Sequence, residues 1–388
     1  MYILSERSSL RHLVCVVFME TSSWFLLFSF LVFIGDVAVS TSVSVPSQVR
    51  AMFVFGDSLL DPGNNNNLFT AAKANYYPHG IDFSQGTTGR FCNGGTIADH
   101  LSTLVGLGIL PAFNNPNTKG TNVLRGANFA SSASGLLNDT GVNYGDRFPM
   151  DAQLEGLTEK ILPEMARNIG DGTTMEEYLA KSLVYSNMGS NDFITNYLVL
   201  TSYEPTLYTL PEYHNHLIDV YIRQLKELYN LGVKKFLISG LAPLGCTPSR
   251  IAGSPNYSES NPKCADDINQ IAIQFSAKVK TMVHKLNKEL VGAYFLYWDL
   301  YTDMIEVLNR SAYYGFKHVY TACCGAGRLN SIILCLPNVP FVCPNRSEYM
   351  FWDPFHPSDA VNAIIAKKAY SGKLQNMYPM NVQQLLQL

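Results

Sequence analysis

The chain has 388 residues, 47% of them hydrophobic and 15% charged, enough to bury one large core. Its 28 basic and 31 acidic side chains leave a net charge of -3 with no basic run or stripe, which argues against a nucleic-acid partner. The chain also lacks G-x-G-x-x-G, G-x-x-x-x-G-K and H-E-x-x-H, so dinucleotide, phosphate-loop and zincin chemistry are poorly supported.

The first element is a leader. Trp24 to Gly35 is a twelve-residue apolar run, short of a comfortable bilayer span, with Arg7 and Arg11 upstream. Ala38 and Ser40 are small residues at the -3 and -1 positions of a cut after Ser40. That pattern predicts a secretory signal peptide over 1–40, a single domain over 41–388, and no stable membrane span after cleavage. A signal anchor is the alternative, since Leu13 to Met19 adds apolar length, but Glu20 and its polar neighbours interrupt it. Four N-x-S/T sequons, at Asn138, Asn256, Asn309 and Asn345, are glycan acceptors in a secreted chain.

Five apolar runs follow, Ala51 to Gly56, Gly126 to Ser131, Leu183 to Gly189, Lys235 to Leu241 and Ala293 to Leu300. Most lack polar alternation, as strands covered on both faces do. Between the later ones lie helical patterns. Leu217, Val220, Tyr221, Leu225 and Leu228 recur at three- and four-residue spacing before Gly232, and Ile268, Ile271, Phe275, Val279, Met282 and Leu286 do the same. A last helix is expected to start near Pro357 and run through "SDAVNAIIAKKAY". Strands alternating with helices predict an α/β fold with a parallel sheet between helical layers.

In such a sheet, ligands bind beyond the carboxyl ends of the strands. Ser58 follows the first run, a Ser- and Gly-rich stretch ending at Gly135 follows the second, "GSND" (Gly189 to Asp192) the third, and "PLGC" (Pro243 to Cys246) the fourth. These clusters, distant in sequence, are expected to meet on one edge. A serine hydroxyl there needs a base to take its proton, commonly a histidine held by a carboxylate. Of eight histidines, His356 alone has an aspartate three residues earlier, in "FWDPFHPSD". The two prolines preclude a regular helix, so Asp353 and His356 are expected on one rigid loop. Taken separately, Ser58 suits a helix cap and Asp353-Pro354 a turn. His214 and His216 read as solvated residues at a helix start, and His284 as surface. For an oxyanion, the candidate donors are the Ser58 N–H, a glycine N–H from "ASSASG" and the Asn191 amide. No G-x-S-x-G elbow is present.

Eight cysteines become seven once Cys15 leaves with the leader, so at least one is unpaired. Cys323, Cys324, Cys335 and Cys343 lack zinc-ligand spacing, and an oxidising compartment favours disulfides over metal. Cys246 and Cys264 would close one loop; the pairing itself stays open.

"FVFGDSLLDPGNNN", "GANFASSASG", "GSNDF" and "FWDPFHPSD" together resemble the four blocks of the plant GDSL esterase/lipases, within the SGNH hydrolase superfamily. "GRFCNGGTIADHL", "LAPLGCTPS" and "ACCGAG" are similar to that family's secondary motifs. The resemblance runs from Ala51 almost to the end of the chain. It implies a flavodoxin-like three-layer α/β/α sandwich around a mainly parallel five-stranded sheet. It implies Ser58 as nucleophile, His356 as base, Asp353 as its partner, and an oxyanion hole from Ser58, Gly135 and Asn191, with Gly126 the alternative glycine. The implied activity is a secreted serine esterase/lipase acting on acyl esters without metal or cofactor. The same triad would also serve a cell-wall carbohydrate O-acetyl esterase or an acyltransferase. A non-catalytic secreted binding protein is a weaker reading, disfavoured because all four key side chains are present. With no amphipathic lid pattern in view, short or medium acyl chains are expected. Asp57 and the asparagine run are expected to hold the loop after Ser58 through side-chain-to-backbone hydrogen bonds.

Overall fold

A computed structural model describes residues 49–337 and 341–388. These residues fall within one compact unit. The expected leader, 1–40, lies outside the described residues. Among the described residues no helix is long and apolar enough to cross a membrane.

The five apolar runs form the parallel strands of one sheet: β1 (Met52–Gly56), β2 (Gly126–Asn128), β3 (Leu183–Asn187), β4 (Lys235–Ser239) and β5 (Tyr294–Trp298). Their spatial order is β2-β1-β3-β4-β5, the flavodoxin-like arrangement. Met52 pairs with Gly126 on one side and Leu183 on the other, so the carboxyl ends of β1 and β3 flank the point where strand order reverses. Continuous apolar sequence is what a strand needs when both faces are covered. Phe53, Phe55, Phe236 and Phe295 enter one core, and Met52, Val54, Leu237 and Trp298 the other.

Six helical segments cover the two faces. α1 (Ile97–Leu104), α5 (Leu300–Asn309) and α6 (Asp359–Ser371) pack on one. α2 (150–168, with a π-turn at Gly156–Ile161), α3 (Leu210–Asn230) and α4 (Asp266–Glu289) pack on the other. α3 begins at Thr209, whose side chain and Glu212 form a capping box, and it ends before Gly232 at φ 112°. Leu217, Tyr221, Leu225 and Leu228 are its fully buried stripe, as their spacing predicts.

The structure adds to the sequence reading and corrects it. A sixth, antiparallel strand, β8 (Met377–Tyr378), closes the sheet beside β5. A separate two-stranded sheet joins β6 (His318–Ala322) and β7 (Tyr349–Phe351). His214 is not solvated. It is 1% exposed and packs against Phe193 and Phe275, and burial pulls its pKa down to about 4. The helix already runs from Leu210, so His214 lies on the same face as Leu217 and Tyr221, three and seven residues on, and is buried with them. Disulfides join Cys246 to Cys264, Cys323 to Cys343 and Cys324 to Cys335; Cys92 is free and buried. All four sequon asparagines are exposed.

Candidate active site

Ser58 stands just beyond the carboxyl end of β1. Gly56 before it has no room for a side chain, because a Cβ would come within 2.8 Å of Leu60 and 3.3 Å of the Asn187 carbonyl. The glycine thus lets β1 pass close to β3. Gln153 reaches over from α2 and grips Gly56 on both sides, accepting from its N–H at 3.0 Å and donating to its carbonyl at 2.9 Å. The strand end that carries the serine is therefore rigid.

The asparagines form a short 3₁₀ turn, Asn64–Asn67, and hold the loop from inside. The Asn64 amide donates to the carbonyls of Asn128 and Ala130. Asn65 donates to Ala72 and Ser132 and accepts from the Ser131 hydroxyl at 2.6 Å. Asp61 accepts from the N–H of Gly63, Asn64 and Ser132. Backbone groups with no sheet or helix partner are thus satisfied by side chains. Burial outweighs those three bonds and raises the Asp61 pKa to about 6.

Asp353 and His356 lie on the loop after β7. Trp352 N–H donates to the His356 carbonyl at 2.8 Å, and the Ser358 hydroxyl donates to the Tyr349 carbonyl, which clamps this loop at both ends. Asp353 Oδ1 accepts the backbone N–H of Phe355 and of His356, each at 2.8 Å. His356 Nδ1 lies 2.8 Å from both carboxylate oxygens. A carboxylate only accepts, so Nδ1 carries the proton and Nε2 is left as acceptor. Nε2 sits 2.8 Å from Ser58 Oγ. Burial alone would raise the Asp353 pKa, but the imidazole beside it holds the carboxyl below its ordinary value. The sequence thus places these groups 298 positions apart and the fold brings them into one hydrogen-bonded chain.

Asn191 follows β3 and lines the same cavity as Ser58. Its amide donates to the Ser134 carbonyl at 2.9 Å, which fixes the direction of its remaining N–H. Neither glycine named from sequence lines the cavity. Gly126 lies at the start of β2, beside Met52 at the opposite end of the sheet. Gly135 packs against the buried Asp192, where a Cβ would fall within 2.5 Å of the carboxylate. Asp192 in turn accepts from Leu136, Leu137 and Thr140. Ser132 and Ala133 are the cavity wall from this segment. Ala133 holds φ 64°, a left-handed conformation costly for a residue with a Cβ. Among the described residues, the backbone N–H groups of Ser58 and Ala133 meet no acceptor.

The cavity has a volume of about 250 Å³. Ile194, Leu244, Leu334, Leu336 and Phe355 contribute apolar wall. Leu334 and Leu336 flank Cys335, whose disulfide to Cys324 ties that wall down. His79 also lines it, which no local motif signalled. It is buried, accepts from Trp352 Nε1 at 3.0 Å, and burial lowers its pKa to about 4, so it stays neutral. Asp57 accepts from Leu59 N–H, and burial raises its pKa to about 6. Among the described residues no cluster of side chains suits a metal ion.

Over residues 52–369 the chain matches the family model for GDSL-like Lipase/Acylhydrolase. It is 43% identical over 341 residues to the Arabidopsis thaliana protein named GDSL esterase/lipase At1g71691, covering 88% of this chain and 86% of that one. It is also 43% identical over 344 residues to GDSL esterase/lipase At1g71250 of the same plant, covering 88% and 90%. To Arabidopsis GDSL esterase/lipase 7 it is 38% identical over 380 residues, covering 97% and 99%.

Proposed function

The chain belongs to the GDSL-like lipase/acylhydrolase family and is a carboxylic ester hydrolase, and on that premise we propose that Ser58, His356 and Asp353 perform the reaction by way of an acyl-enzyme. The observation that carries this reading is the continuous chain from Ser58 Oγ through His356 to the Asp353 carboxylate, each step 2.8 Å, in the wall of a largely apolar cavity.

Ser58 attacks the ester carbonyl as His356 Nε2 takes its proton. The imidazolium so formed lies against the buried carboxylate of Asp353, which stabilises it and keeps Nε2 aimed at Ser58. The carbonyl oxygen gains negative charge, and the donors for it are the N–H of Ser58, the N–H of Ala133 and the Asn191 amide. Ala133 takes the role first assigned to Gly135. Its left-handed backbone sits in the cavity wall with an unclaimed N–H, and strained residues of this kind persist where function or surrounding structure holds them. His356 then gives its proton to the leaving alcohol. Water, deprotonated by His356, cleaves the acyl-enzyme and restores Ser58.

The acyl part is held by the apolar wall around Leu244 and Phe355. Secretion and glycosylation belong to the same proposal. They rest on the leader pattern, the disulfides and the exposure of all four sequon asparagines.

The test is turnover of p-nitrophenyl esters of graded chain length by the full chain and by Ser58→Ala, with labelling by a serine-reactive phosphonate. The proposal expects kcat to fall roughly 10³- to 10⁶-fold in Ser58→Ala and the label to map to Ser58. Turnover that survives Ser58→Ala would refute it.

A further inference from the structure

The wall of the catalytic cavity also carries two cations that the ester chemistry above does not use, Lys73 and Arg250. Lys73 enters from the loop after the asparagine turn. Arg250 comes from the short helix Pro248–Ala252 after β4. Tyr144 shares this wall, and its carbonyl accepts from Ala71 N–H at 2.7 Å, two residues from Lys73.

Among the described residues neither cation has an ion-pair partner. No carboxylate lies within bonding distance of either, although Asp267 acts on Arg250 through space. Arg250 makes one hydrogen bond, from Nη2 to the Ile194 carbonyl at 3.1 Å. That bond fixes the guanidinium and leaves four of its five donors unclaimed. Burial lowers its pKa, so the site bears the cost of a half-buried charge that Asp267, acting from a distance, offsets only in part. The acids that share the cavity are committed elsewhere. Asp353 is bound to His356, and Asp57 is buried at the strand end against Leu59.

Resting on the hydrolase reading, we infer that this cavity takes acyl esters whose alcohol part carries a phosphate, with the apolar wall holding the acyl chain and Arg250 and Lys73 binding the phosphate. A phosphate monoester carries between one and two negative charges at neutral pH, which two unpaired cations match better than a monoanionic carboxylate would. The planar guanidinium also presents paired donors to phosphate oxygens.

Binding is read by calorimetry on the full chain carrying Ser58→Ala, which keeps the cavity and prevents turnover. The probes are octyl phosphate, octanol and inorganic phosphate. The inference expects octyl phosphate to bind at least about tenfold more tightly than octanol and than inorganic phosphate. It also expects Arg250→Gln and Lys73→Gln each to shrink the difference from octanol, and Arg250→Lys to keep part of it. Equal binding of octyl phosphate and octanol would overturn the inference. So would a preference that survives both Gln variants, or inorganic phosphate binding as tightly as octyl phosphate. Neutral-ester turnover without phosphate preference keeps the hydrolase reading and sinks this one. Phosphate preference without ester turnover does the reverse.

Discussion

Replacing Asp353 by asparagine separates its electrostatic role from its structural one. Oδ1 receives two backbone N–H groups, from Phe355 and His356, so the amide oxygen of Asn must occupy that position. The amide NH₂ then falls where Oδ2 was, 2.8 Å from His356 Nδ1. A donor now faces a nitrogen that must itself donate, and the amide oxygen, also 2.8 Å from that nitrogen, already accepts two backbone N–H groups. The ring is pushed toward the tautomer with the proton on Nε2, and the imidazolium loses its buried counter-charge. The expected loss in kcat/KM is about 10⁴-fold, equivalent to about 5 kcal/mol of barrier. Both backbone hydrogen bonds survive, so folding stability should change by no more than about 2 kcal/mol. The assay is kcat/KM on a p-nitrophenyl ester for the wild type, Asp353→Asn, Asp57→Asn and Ser58→Ala, with thermal unfolding of each. Asp353→Asn retaining its rate within about tenfold, while Asp57→Asn loses as much as Ser58→Ala, would show that the acid has been misassigned.

Asp57 gives a pH prediction. Its folded pKa, about 6, is raised above the ordinary 3.8, so the folded chain holds this proton more tightly than the unfolded one. Stability from this group is therefore fully present at low pH, falls as pH rises from about 4 to about 6, and stays at the lower value above. Asp57→Asn should remove that decline and stabilise the protein above pH 6 by up to about 3 kcal/mol, read from urea unfolding at several pH values. Arg90 is buried against Asp99 with two hydrogen bonds of 2.7 Å, and its removal strands a carboxylate in the core. Arg90→Leu should cost about 3–5 kcal/mol, seen as a lower urea midpoint; a loss under about 1 kcal/mol would show that the pair is not holding the loop. Opening the Cys324–Cys335 bridge, 11 residues apart, with a double Ser variant should cost about 3 kcal/mol and loosen the wall at Leu334 and Leu336. An unfolding midpoint and ester chain-length profile unchanged by that variant would refute the link.

Much of this protein was written locally. Each parallel strand lies between helices, so its sequence must be apolar without alternation. α3 and α4 each have one buried face, so their apolar residues recur every three to four positions. Asp353 and His356 are three residues apart on a turn that prolines stiffen, so their meeting needs no distant partner. Ser58 announces itself as a polar residue at a strand end, and the asparagine run serves backbone groups close to it in space.

Other features depended on contacts that short patterns do not encode. β8 is two residues long and exists because β5 offers it an edge; β6 and β7 likewise find each other across 31 residues of chain. Cysteine spacing could not select among pairings, because a disulfide depends on which backbones approach in the fold. His79 meets Trp352 from 273 positions away. Gly135 and Ala133 show the division most sharply. A glycine can be required for space as readily as for conformation, and only the packed Asp192 reveals that Gly135 is the first case. Ala133 occupies a left-handed position that its residue type would not suggest, held there by the loops around it. The sequence by itself determined the layers and the pairing of Asp353 with His356, because burial periodicity and a three-residue spacing are local properties. The tertiary structure decided the meeting of Ser58 with His356, the position of Ala133 in the cavity wall, the bridges and the charged cavity wall, because each depends on chain segments distant in sequence approaching one another.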